Sequence, residues 1–135
     1  MSTSLLALLG FIAWALFLLV LMELIRTWLV LSGAVPANGF DPQNSKLSPF
    51  MQRLARAHAN CLEGLPIFGG LLVVAILAGR STLTDPLAYI FLGARIAQSL
   101  VHLASTSAIA VSTRFALFAV QLAIGVYWVI LLHGH

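Results

Sequence analysis

The chain has 135 residues, of which 61% are hydrophobic and 8% charged, with a net charge of +3. A soluble domain carries about 25% charged residues, so four acidic and seven basic side chains exclude an ordinary solvated surface. No basic cluster with interleaved aromatics is present, which excludes a nucleic-acid-binding face, and the single Cys61 excludes an intrachain disulfide.

A helix crosses the hydrocarbon core with about 20 mostly apolar residues. Four stretches suit this: Leu5 to Leu31, Leu65 to Ala78, Leu87 to Leu103 and Phe115 to Leu132. The first has no positively charged start and runs too far to be a removable leader, so it reads as a spanning helix that stops near Ser32-Gly33. Residues 34–47 hold Pro36, Asn38, Gly39, Asp41, Pro42, Asn44 and Ser45, which predict a loop. Ser48 followed by Pro49 predicts an N-cap and first turn. The second helix runs from there to about Gly79, with a bend at Pro66. A turn is expected over Arg80 to Asp85, with Pro86 opening helix three. That helix ends near Ser105, and Arg114 opens helix four after a connection up to Thr113. The expectation is one domain over residues 1–135, an all-α integral membrane protein built as a bundle of four transmembrane helices. Trp14, Trp28 and Trp128 read as interface anchors or lipid-facing bulk. His133 and His135 read as solvated tail residues that lack a third metal ligand, so no metal is expected.

Arg26, Lys46, Arg53, Arg56 and Arg114 fall at one end of such a bundle, while Arg80, offset by Asp85, falls at the other. The positive-inside rule then puts the first and third connections in the cytoplasm and both termini outside.

Polar residues inside the spans carry the functional information. Arg53, Arg56, Asn60 and Glu63 lie within an arc of about 80° on helix two. Arg95, Gln98, Ser99 and His102 form a second stripe at helical spacing. Arg114 and Gln121 add a third. One reading is structural, with Glu63 satisfying an arginine. Against it stands the charge count, since Arg53, Arg56, Arg95 and Arg114 face one Glu63, and Glu23 can pair with Arg26. Excess positive charge in a membrane is costly unless an anion joins it. Lipid headgroups, or a ligand with two carboxylates and one ammonium, would fit that balance.

The run Arg56-Ala57-His58-Ala59-Asn60-Cys61-Leu62-Glu63-Gly64-Leu65-Pro66-Ile67-Phe68 resembles the signature of the MAPEG family, the membrane-associated proteins in eicosanoid and glutathione metabolism. Ala94-Arg95-Ile96 resembles the family's second motif. The resemblance implies a MAPEG-like homotrimer with glutathione, as co-substrate, held between subunits near the cytoplasmic side. It implies that Arg53, Arg56, Asn60, Glu63, Arg95, Gln98, Ser99 and His102 line that site. Arg114 corresponds to the arginine that stabilises the glutathione thiolate in family enzymes. The implied function is a glutathione-dependent transferase or peroxidase acting on lipophilic small molecules reached from membrane lipid. The chain departs from the family pattern at His102 and Phe118, where tyrosines are typical, and at Phe115, where some members have serine. Two alternatives stay open: a non-catalytic binder of glutathione or another anion, and a small four-helix transporter. A transporter would need a carboxylate that cycles a proton, and Glu63 is expected to be kept ionised by nearby arginines.

Overall fold

The computed structural model describes residues 1–134. His135 lies outside the described residues, so the tail reading is tested only at His133 and Gly134. Four helices span the length needed to cross a membrane: α1 (Thr3–Leu31), α2 (Pro49–Leu77), α3 (Ser81–Ala104) and α4 (Ala108–His133). The chain is an integral multi-pass membrane protein of the expected four-helix class. α3 is the central helix and packs against each of the other three.

Three of the four helices, α1, α2 and α4, start where a side chain replaces a missing backbone partner. The Ser2, Ser48 and Ser107 hydroxyls accept from Leu5 N, Met51 N and Ala110 N. α1 stops at Leu31, and Gly33 follows with φ 78°, a conformation that disfavours a side chain. Asn44 pins the loop between α1 and α2 onto α1. Its Oδ1 accepts from Arg26 Nε at 3.0 Å, and its Nδ2 donates to the Met51 carbonyl at 2.8 Å. Arg26 also pairs with Glu23 at 3.0 Å, as expected from their spacing.

Pro66 does more than bend α2. Its ring nitrogen cannot donate to the carbonyl four residues back, and its ring crowds that carbonyl. The helix widens into a π segment over Leu65–Gly69 and then resumes as Gly70–Leu77.

Two boundaries differ from expectation. α3 begins at Ser81, so the turn after α2 is shorter and Pro86 lies inside the helix. That first turn is held from outside. Asp85 Oδ1 accepts from Ser4 N at 2.8 Å, and within the turn the Ser81 carbonyl accepts from Thr84 Oγ1 at 3.1 Å. α4 begins at Ala108 because Ser107 caps it, so Arg114 sits in its second turn rather than opening it.

The core is aromatic. Phe91 of α3 meets Phe11 of α1, Phe68 of α2 and Trp128 of α4, with ring centroids 5.7, 4.9 and 5.5 Å apart. Tilted contacts of this kind add to the area buried. Trp128 is fully buried there, which corrects its assignment to the interface or lipid, whereas Trp28 is exposed. Buried Ala7, Ala15, Ala88 and Ala94 let helices approach closely. The outward faces are apolar, including Leu9, Leu16, Phe17, Val126 and Ile130, as a lipid-facing surface requires.

Candidate functional site

The polar end of α2 faces the end of α3 and the start of α4. Between them lies a cleft of about 460 Å³ lined by Arg56, Ala59, Asn60, Glu63, His102, Arg114 and Phe118. Helical spacing accounts for its first wall. Arg56, Asn60 and Glu63 recur at intervals of four and three residues and share one face of α2. Arg56 and Glu63 are exposed and Asn60 is half-buried. The other wall is Arg114, whose Nη1 lies 3.2 Å from His102 Nε2.

Glu63 makes no ion pair with any arginine among the described residues, where Glu23 to Arg26 is the pair found. The structural reading, in which Glu63 satisfies an arginine of the chain, is therefore not the arrangement seen. The cleft presents two guanidiniums and one free carboxylate, a set that can meet opposite charges on a small zwitterionic ligand.

Asn60, Glu63 and Phe118 also line a second space of about 350 Å³. It runs between the π segment of α2 and the middle of α4, and its walls include Ile67, Phe68, Leu71, Leu122 and Val126. The polar cleft thus continues into an apolar groove. A smaller recess of about 210 Å³ beside Gln98, Arg114, Phe115 and Phe118 adjoins the other side.

The remaining residues expected at the site occupy other positions. Arg53 turns away and donates from Nε to the Leu103 carbonyl at 2.8 Å, where a cation suits the end of α3. Arg95 lies behind Asn60, donating from Nη1 to Asn60 Oδ1 at 3.2 Å. Ser99 donates to the Arg95 carbonyl of its own helix at 3.2 Å. Gln98 accepts from Gln121 Nε2 at 2.7 Å, a buried link between α3 and α4. Cleft and groove therefore bring together Arg56, Asn60, Glu63, His102 and Arg114, while Gln98 borders the adjoining recess. The groove residues escaped sequence reasoning, because an apolar side chain facing a cavity looks like one facing lipid. Phe118 was legible only as a departure from a family tyrosine.

A family model, the MAPEG family, matches residues 4–133, nearly the whole chain. The chain belongs to the MAPEG family. No curated protein and no solved structure matches it. The motif that carried the resemblance lines the MAPEG cleft through Arg56, Asn60 and Glu63. The same motif supplies Pro66 and Phe68, which shape the π segment and the groove wall. One short run of this MAPEG sequence thus builds both the polar and the apolar half of the site.

Proposed function

We propose that the chain is a glutathione-dependent membrane transferase or peroxidase acting on lipophilic electrophiles, with its site completed by neighbouring copies in a homotrimer. The observation that carries this reading is the junction of the charged cleft with the apolar groove at Asn60, Glu63 and Phe118. Glutathione has two carboxylates, one ammonium and a thiol that is nucleophilic once ionised. Arg56 and the Asn60 amide hold a carboxylate, and Glu63 meets the ammonium. The Arg114 guanidinium stabilises the thiolate. The groove wall of Phe68, Leu122 and Val126 takes the apolar body of the electrophile and excludes water from it. The end of the bundle bearing Lys46, Arg56 and Arg114 faces the cytoplasm, with both termini on the other side.

A second reading, a binder without turnover, draws support from the His102 contact that already engages Arg114 and from Phe115 and Phe118, which offer no hydroxyl. The transporter alternative rests on Glu63 alone, which is free of an ion pair among the described residues.

The test is glutathione calorimetry on the purified protein, with Glu63→Gln as control. Saturable binding lost in Glu63→Gln supports the first two readings, and Arg114→Ala then separates them. An enzyme loses rate with little change in affinity, whereas a binder has no rate to lose. Absence of binding at millimolar glutathione would sink the first reading and leave the second only as a binder of another anion, and proton-coupled flux lost in Glu63→Gln would then favour transport.

A further inference from the structure

Arg95 is 1% exposed and pairs with no carboxylate among the described residues. Its Nη1 donates to Asn60 Oδ1 at 3.2 Å, and its Nε and Nη2 are buried without a partner among the described residues. Its guanidinium carbon lies 5.5 Å from the centre of the Phe11 ring, a cation–π contact that offsets part of the burial cost. Nη2 occupies the space beside Gly64, where an added Cβ would lie 2.7 Å away. The guanidinium is thus wedged between α1 and α2 and aimed at one side chain.

That arrangement has a chemical consequence for Asn60. A carboxamide has an accepting end and a donating end, and a guanidinium has donors only. Arg95 can bond Asn60 through Oδ1 alone. With Oδ1 committed to Arg95, the Nδ2 donors are the part of the amide left to serve the cleft and groove that Asn60 lines. We propose that Arg95 is a positioning residue that never touches ligand: it locks the Asn60 amide so that Asn60 meets the ligand only as a hydrogen-bond donor. Of the guanidinium, amide and carboxylate groups lining the cleft, Arg56, Arg114 and Asn60 then donate and Glu63 accepts. The group bound beside Asn60 is therefore an anionic or carbonyl oxygen. The inference rests on the proposed function only in taking glutathione as that ligand.

The experiment compares Asn60→Asp, Arg95→Gln, Arg95→Lys and the Asn60→Asp/Arg95→Gln double variant, reading melting temperature and glutathione affinity on purified protein. Asn60→Asp gives the buried guanidinium a carboxylate while removing the cleft donor. The expected result is a raised melting temperature together with an affinity weakened about tenfold or more. The stability gain disappears in the double variant. Arg95→Gln lets the amide turn either way and weakens affinity, whereas Arg95→Lys keeps a donor and retains affinity within about threefold. A purely structural contact would not move stability and affinity in opposite directions. The proposal is overturned if Asn60→Asp lowers the melting temperature, or if Asn60→Asp or Arg95→Gln binds glutathione as tightly as the wild type. Should the wild type not bind glutathione, the proposed function falls. The Arg95–Asn60 lock is then decided by the melting temperatures, where the gain in Asn60→Asp and its loss in the double variant support it and any other pattern rejects it.

Discussion

Arg114 Nη1 and His102 Nε2 lie 3.2 Å apart across the short turn between α3 and α4. Since a guanidinium only donates, His102 accepts through Nε2 and carries its proton on Nδ1. His102 thereby orients Arg114 toward the cleft from a position where the family usually places a hydroxyl.

Nitrogen-15 NMR of histidine-labelled protein is expected to show His102 as the Nδ1–H tautomer, with the signal pattern lost in Arg114→Met. If the chain is the transferase or peroxidase proposed above, His102→Phe removes the acceptor and should lower kcat/KM by about tenfold or more, the effect of losing a hydrogen bond to a charged group. His102→Gln retains an acceptor and should recover much of the rate. Equal rates for the two variants would show that the contact does not orient Arg114.

Gly64→Ala is expected to destabilise the protein by about 1–3 kcal/mol, because the new methyl overlaps the Arg95 guanidinium in a packed interior. A thermal melt followed by circular dichroism checks this. A variant as stable as the wild type would mean that Arg95 can withdraw from α2 at little cost.

At the opposite end of the bundle, Ser4 Oγ donates to Asp85 Oδ1 at 2.5 Å and lies 2.5 Å from Thr84 Oγ1. Ser4→Ala strips these contacts and should cost about 1–3 kcal/mol. Hydrogen exchange should rise first at the start of α3, since Pro86 leaves that turn short of a backbone bond. Uniform loss of protection along α3 would argue against a local role.

In the loop before α2, the Ser45 hydroxyl, and after it the Ser45 backbone N–H, hold the exposed Asp41 carboxyl below its ordinary value of 3.8. A carboxylate shifted down stabilises the folded loop above its unfolded value, and that contribution is lost as pH falls through the lower folded value. The Ser45 amide should be protected from exchange at neutral pH and lose protection only in acid, below 3.8. Protection that fades near pH 6 would point to another group.

The sequence made the four helices legible because lipid demands long apolar runs whatever the packing. It made the α2 face legible because Arg56, Asn60 and Glu63 follow helical periodicity. It misplaced the starts of α3 and α4 because those depend on capping by Ser107 and on contacts from Ser4, which periodicity does not register. The two arginines Arg53 and Arg95 share a polar stripe with cleft residues yet serve a helix end and a neighbouring amide. Charge on a helix face reports proximity to a site, while reach and partner decide what each side chain does there.

The π segment of α2 makes that helix two cylinders set out of phase. An ordinary α-helix turns about 100° per residue, so the extra residue over Leu65–Gly69 advances everything beyond it by about that angle relative to the Arg56, Asn60 and Glu63 face. Removing one residue there would leave a helix long enough to cross the bilayer and just as apolar. It would also rotate Leu71 and Leu72 off their present neighbours, uncoupling the groove from the cleft while hydropathy stayed the same.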